Sequence, residues 1–187
     1  MVGAILTQAT NWHNVEQALA RLRAARVLTA HALAGVPRGR LERLVRPSGC
    51  FRQKAARVQG FSRWYVRRYG ASSARMFRGE PWRLRRELLD LPGIGPETAD
   101  AILLYAGQQP VVVVDAYTRR VFRRHHLIAG GESYEQIQRM VMDRLPVSPA
   151  LCNELHALLV AVGKRYCHRR NPACPQCPLG EFPHQQE

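Results

Sequence analysis

The stretch Leu91-Pro92-Gly93-Ile94-Gly95-Pro96-Glu97-Thr98-Ala99-Asp100 decides the fold. Leu84, Leu88 and Leu89 precede it at helical spacing, and Ala99, Ile102, Leu103 and Ala106 follow it at the same spacing. Two apolar helix faces therefore flank a tight turn that contains two glycines. Gly93 and Gly95 have no Cβ, so the backbone there can turn sharply and approach a partner closely. Pro96 suits the first position of a second helix, where its missing N–H would have no helical partner in any case. The amides of such a turn, at a helix N-terminus, make a site for an anion such as a phosphate. Taken alone, a Gly-x-Gly turn between helices is a weak signal, because such turns are common.

Composition narrows the class of partner. The chain has 187 residues, enough for one large domain or two small ones sharing an interface. Its apolar fraction of 46% suits a folded protein, and no run of about 18 apolar residues predicts a membrane span. Met1 to Leu6 is apolar but too short, and lacks the basic start, for a secretory signal, so the cytoplasm is the expected compartment. The formal net charge is +14, from 28 basic against 14 acidic residues, and only Lys54 and Lys164 are lysines. Arginine forks pair bidentately with phosphates, so this excess points to a nucleic acid. A GC-rich genome would explain arginine over lysine, but not the shortage of acids. Three of the five cysteines crowd the C-terminal end, which argues for a metal site in a reduced compartment rather than a disulfide framework.

Along the chain the pattern is helical throughout. Thr10 or Asn11 is placed to cap a helix faced by Val15, Leu19 and Leu22, and Thr29 to cap a short one ending near Gly35. Residues 38 to 45 form another helix, and Pro47-Ser48-Gly49 breaks the chain before a longer amphipathic helix carrying Ala55, Val58, Tyr65 and Val66. After the glycine turn, Val111 to Val114 reads locally as a strand but has no strand to pair with, so a buried connector is expected. Helices follow over about 116–125, 133–145 and 149–162, giving nine or ten in all. The fold class is all-α.

Asp115 follows the valine run and precedes a helix with Arg119 and Arg120, where its local reading is an N-cap. The order helix, L-P-G-x-G, helix, apolar run, V-D-x-Y-T-x-R resembles the endonuclease III branch of the helix-hairpin-helix (HhH-GPD) DNA glycosylases, most closely the monofunctional 3-methyladenine type. The resemblance covers Met1 to about Leu179. It implies a two-lobed fold, with a helical lobe over 1–109 that ends in the hairpin and a second lobe over 110–187. It implies duplex DNA with damaged bases as partner, a flipped nucleotide between the lobes, a monomeric state, and a location in the bacterial cytoplasm, on the nucleoid while bound. The catalytic carboxylate falls on Asp115, which would stabilise the oxocarbenium-like sugar left by the departing base. Capping and catalysis do not exclude each other.

Bifunctional members, which also nick DNA, carry a nucleophilic lysine two residues after the second glycine. Here that position is Glu97, read as a charge at the helix N-terminus rather than a catalyst. Lys54 lies in G-C-F-R-Q-K-A, which resembles a segment whose lysine is not the nucleophile. The expected activity is therefore base removal by water. The alternatives are a bifunctional enzyme on oxidised pyrimidines and a non-catalytic protein that binds lesions.

The resemblance extends to the remaining site residues. Leu6-Thr7-Gln8-Ala9-Thr10 matches a segment whose glutamine fills the DNA gap, which implies that role for Gln8. Gly49-Cys50-Phe51 resembles a DNA-contacting loop whose wedge is Cys50 or Phe51. DNA phosphate would meet the backbone amides of Gly93, Ile94 and Gly95, with Thr98 beside them. Trp12 falls where an aromatic stacks on the damaged base, core packing being the equal alternative, and 3-methyladenine is the leading base. Asn153-Glu154-Leu155-His156 also matches this subgroup, with His156 read as a buried structural residue. Cys167-x6-Cys174-x2-Cys177 resembles the first three ligands of a C-terminal [4Fe–4S] loop. The fourth cysteine would fall at Pro183, which leaves His184, an outside ligand, or a labile or lost cluster; zinc held by three cysteines and His184 is the chemical alternative. Family members begin with a helix ahead of the first matched segment, so a misassigned or truncated start is expected.

Overall fold

The computed structural model describes residues 1–146 and 148–185. Residue 147 and residues 186 and 187, all within the range assigned to the second lobe, lie outside the described residues. The described residues are all-α, with eleven α-helices and two short 3-10 turns where nine or ten helices were expected. The chain divides into two compact units, Met1–Gly107 and Gln108–Glu187.

The first unit contains α1 (Val2–Leu6), α2 (Trp12–Ala24), α3 (Ala30–Gly35), α4 (Arg38–Val45), α5 (Phe51–Tyr69), α6 (Ser73–Met76), α7 (Pro81–Leu89) and α8 (Pro96–Gly107). Asn11 caps α2 by accepting from the Asn14 amide, and Thr29 caps α3 through the Ala32 amide, so two short polar side chains start two helices. The long α5 packs against α1, α3, α4 and α6. Its face of Ala55, Val58, Phe61 and Tyr65 is buried with Ile5, Leu6, Val15, Leu22, Leu33 and Leu41. Truncating a buried leucine in such a core to alanine costs about 2–5 kcal/mol.

Helices α7 and α8 are the two arms of the glycine turn and pack on each other. An ion pair absent from the sequence reading pins them: Arg85 meets Asp100 with Nε to Oδ1 at 2.7 Å and Nη2 to Oδ2 at 3.1 Å. Asp100 is fully buried, so its charge is compensated within the protein by this pairing rather than by water. Gly107 at the end of α8 sits against the Phe77 ring, with no room for a side chain.

The second unit contains α9 (Ala116–Arg124), α10 (Tyr134–Met142), α11 (Pro149–Arg165) and a 3-10 turn at Cys174–Gln176. Val112, Val113 and Val114 are buried in a connector that forms no strand. Side chains of α10 satisfy its backbone: Gln138 donates to the Val112 carbonyl at 2.6 Å, and the Tyr134 hydroxyl accepts from the Val114 amide. Ser133 and Gln136 form a reciprocal capping box at the start of α10. Helix α11 packs on α9, and Gly163 is required there because a Cβ would overlap Tyr117. Among the described residues, no helix is long and apolar enough to cross a membrane.

Candidate functional site

The glycine turn is held by a web of side chains. Gln8, just past the end of α1, donates through Nε2 to the Gly93 carbonyl and to Thr98 Oγ1, both at 2.9 Å, and its Oε1 accepts from Arg57 of α5. Gly93 has φ +81°, and a Cβ there would overlap the Arg57 side chain, so both backbone and space demand glycine. Arg57 escaped the sequence reading, since nothing local marks it among the other arginines of α5.

Two expectations change at this turn. The Ile94 amide is spent inside the turn on the Leu91 carbonyl at 3.0 Å, and its side chain is buried, so it is not an open donor. The Gly93 and Gly95 amides stay open among the described residues. Thr98 is buried and engaged with Gln8, which makes it a support of the turn in this state. Gln8 is likewise occupied within the protein rather than extended from it.

The loop before α5 is tightly constrained. Gly49 and Cys50 have φ of +70° and +42°, so a non-glycine residue sits in the left-handed region. Beneath them the amine of Lys54, only 1% exposed, donates to the Ser48 carbonyl, and Ser48 Oγ donates to Val45 O at 2.7 Å. Burial pushes the Lys54 amine below its ordinary pKa. Cys50 is exposed at the loop tip, whereas Phe51 is half-buried as the first residue of α5 with the Arg46 and Arg52 guanidinium groups near its ring.

Trp12 opens α2 with 46% of its surface exposed, which removes the core-packing reading. Its indole is nonetheless fixed: Nε1 donates to Glu16 Oε1 at 3.0 Å, and its ring edge lies over Gly3 of α1, where a Cβ would crowd it. The i,i+4 spacing of Trp12 and Glu16 was the signal in the sequence for that pairing.

In the second unit Asp115 caps α9. Its Oδ1 accepts from the Thr118 amide at 2.7 Å and from the Thr118 hydroxyl at 2.9 Å. Its Oδ2 lies 3.6 Å from His156 Nε2 of α11, a close approach just beyond hydrogen-bond length. Burial works to raise the Asp115 pKa, but His156 and the Thr118 donors outweigh it, and the carboxyl is held below its ordinary value. The site thus favours the ionised form of a mostly buried carboxylate.

At the far end of α9, Cys167, Cys174, Cys177 and His184 line one recess with about 300 Å³ of open space, its mouth included. Arg124, nearly buried, donates to Cys167 Sγ at 3.2 Å and to the His168 carbonyl at 2.6 Å, while Arg120 holds the Cys167 and Gly163 carbonyls. Among the described residues no three His, Cys, Asp or Glu side chains are grouped closely enough to hold a single metal ion. His184 Nδ1 pairs with the Phe182 carbonyl, so the imidazole is anchored within the tail. Cys152 is a buried thiol on α11, away from this recess.

A glycine hairpin tied to the N-terminal helix, a capping aspartate kept ionised, and a cysteine-lined tail are the features of one protein class. The chain belongs to the HhH-GPD superfamily of base excision DNA repair proteins, whose profile matches residues 2–146. Among its relatives, a protein of Methanocaldococcus jannaschii provisionally named a DNA repair glycosylase is 39% identical over 97% of this chain and 83% of its own length. Endonuclease III of Thermotoga maritima is 29% identical over 95% of this chain and 78% of its own. A non-covalent endonuclease III–DNA complex superposes with a TM-score of 0.80 at 25% identity, covering 95% of this chain and 78% of the other. The 3-methyladenine DNA glycosylase of H. pylori bound to 1,N6-ethenoadenine gives 0.77 at 29% identity, covering 88% and 83%.

Proposed function

We propose that this DNA glycosylase removes alkylated bases by hydrolysis and has no lyase step. The observation that carries the reading is Asp115, mostly buried, held below its ordinary pKa, and with Oδ2 outside its own helix cap. Cleavage of the C1′–N bond sends the bonding electron pair out with the base and leaves a cationic sugar. The Asp115 carboxylate stabilises that cation, and water adds its oxygen to C1′ and loses a proton. Nothing in this route needs an amine. Glu97 occupies the position of the lyase nucleophile in the resemblance, and Lys54 is buried against a carbonyl and closed to a sugar. The endonuclease III relatives favour the second reading, a bifunctional enzyme on oxidised pyrimidines, which would require Lys164 or another amine to act.

Exposed, fixed and paired with a carboxylate, Trp12 suits a base that carries positive charge, as an N3-methylated adenine does. The Gly93 and Gly95 amides and the arginine excess supply phosphate contacts, and the loop at Gly49, Cys50 and Phe51 enters the duplex with Cys50 foremost. Cys167, Cys174, Cys177 and His184 would hold a [4Fe–4S] cluster, which needs wider ligand spacing than a single ion and would brace the tail without entering the reaction.

Alkylated duplex DNA incubated with the protein, then divided and half treated with hot alkali, tests the reading. Release of 3-methyladenine with strand breaks only after alkali supports it. Breaks without alkali, trapped as a covalent adduct by borohydride, would establish the bifunctional reading. Salt-sensitive binding with no base release from alkylated or oxidised DNA would make the protein a lesion binder.

A further inference from the structure

The two oxygens of Asp115 are treated differently by the fold. Oδ1 takes both Thr118 donors and is committed to starting α9. Oδ2 is left to face His156, which arrives from α11, the helix packed on α9. Both side chains are mostly buried, at 12% and 16% exposure. The neighbouring charges of these helices are turned elsewhere: Arg119 onto the Glu132 carbonyl, Arg120 onto the Cys167 and Gly163 carbonyls, Arg124 onto Cys167, while Glu154 is exposed.

We propose that His156 is a positioning residue for Asp115, fixing the direction of Oδ2 from the neighbouring helix. The inference rests on the base-releasing role given to Asp115. A carboxylate bonded through one oxygen retains freedom about its last torsion, which is broad for aspartate. A donor at the second oxygen, from a different helix, removes that freedom. A buried carboxylate with no partner tends to take up a proton, and a protonated Asp115 cannot stabilise a cation. The 3.6 Å separation suits an unliganded enzyme, whose catalytic hydrogen bonds are often long and tighten in the complex.

The test compares wild type, His156→Gln and His156→Leu in single-turnover release of base from alkylated duplex, with duplex affinity measured in parallel. Carboxyl ¹³C NMR follows the titration of Asp115, assigned with Asp115→Asn. His156→Leu should release base about 10- to 100-fold more slowly, less than the loss for a donor aimed at the reacting atoms, with affinity unchanged. His156→Gln, whose amide can donate to Oδ2, should restore most of the rate. Asp115 should titrate at higher pH in His156→Leu than in wild type.

Equal rates in all three proteins with an unmoved titration would overturn the inference. So would a rate loss that follows melting temperature while the titration stays put, since packing alone would then explain His156. If His156→Leu does not fold, the rate and Asp115 titration of His156→Gln against wild type decide. Absence of base release by wild type would count against the base-releasing reading, and the NMR arm would still decide whether His156 governs Asp115.

Discussion

Helices α8 and α9 begin in opposite ways. Ahead of Pro96 stands Gly95, which has no side chain to cap anything, and the turn amides of Gly93 and Gly95 remain open. Ahead of Ala116 stands Asp115, whose own carboxylate caps the first turn. Among the described residues, the first start leaves turn amides without a partner and has Glu97 in its first turn, whereas the second is capped by its own carboxylate. A helix needs its N-terminal donors satisfied, and an open start is the kind of place that suits an anion. The filled start identifies a carboxylate placed for more than capping only because its second oxygen is left over.

Asp115→Asn separates the two roles of the filled start and should give the largest effect. Asparagine caps about as well as aspartate, so stability at neutral pH should change by no more than about 1 kcal/mol. Base release should fall by about 100- to 1,000-fold, the usual loss when a group aimed at developing charge is neutralised. The depressed pKa of Asp115 fixes the sign of the pH effect: its contribution to stability is full above the ordinary carboxylate range and is lost as pH falls through that range to the lower folded value, while the ionised form that the rate needs persists below the ordinary range. A melt and a single-turnover assay on the same preparation distinguish the roles; a rate loss matched by an equal loss of stability would reduce Asp115 to a cap.

Gly93→Ala attacks the open start. A Cβ at φ +81° costs about 1–2 kcal/mol and pushes against Arg57, which holds Gln8 in place. Affinity should fall by roughly tenfold for damaged and undamaged duplex alike, because a phosphate contact carries no sequence or lesion information. A gel shift across a salt series measures this. A loss confined to damaged DNA would mean the turn reads the lesion instead.

The comparison also explains which parts of the site could be read from the sequence. Glycine and proline spacing, the capping aspartate and the cysteine interval are local signals; the structure forms the turn and the cap, and it brings the three cysteines to one recess. The fold class followed from periodicity alone, including the valine run, whose lack of a partner strand made it a connector. What stayed hidden was assembled from distant segments. Gln8 and Arg57 meet at Gly93 from three parts of the chain, Arg85 reaches Asp100 across the turn, and His156 lies 41 positions from Asp115 (156 − 115). The Ile94 amide shows a smaller limit: a turn spends one of its own amides to close, here on Leu91, and the sequence does not say which.

The smallest effect is expected at Trp12, where a third polar arrangement resembles neither helix start. Glu16 is exposed and its carboxylate is held by an indole N–H, so its charge lies beside an aromatic face instead of inside a helix cap. Glu16→Gln keeps an acceptor for Trp12 and removes only the charge. The indole should therefore stay in place, while the preference for a cationic base over a neutral one weakens. An exposed charge is worth less than about 1 kcal/mol, so the ratio of 3-methyladenine to 1,N6-ethenoadenine release should fall by roughly threefold. Trp12→Ala should lower both rates, since stacking serves either base. An unchanged ratio in Glu16→Gln would leave the aromatic face as the whole of the base contact and deny Glu16 any part in choosing the lesion.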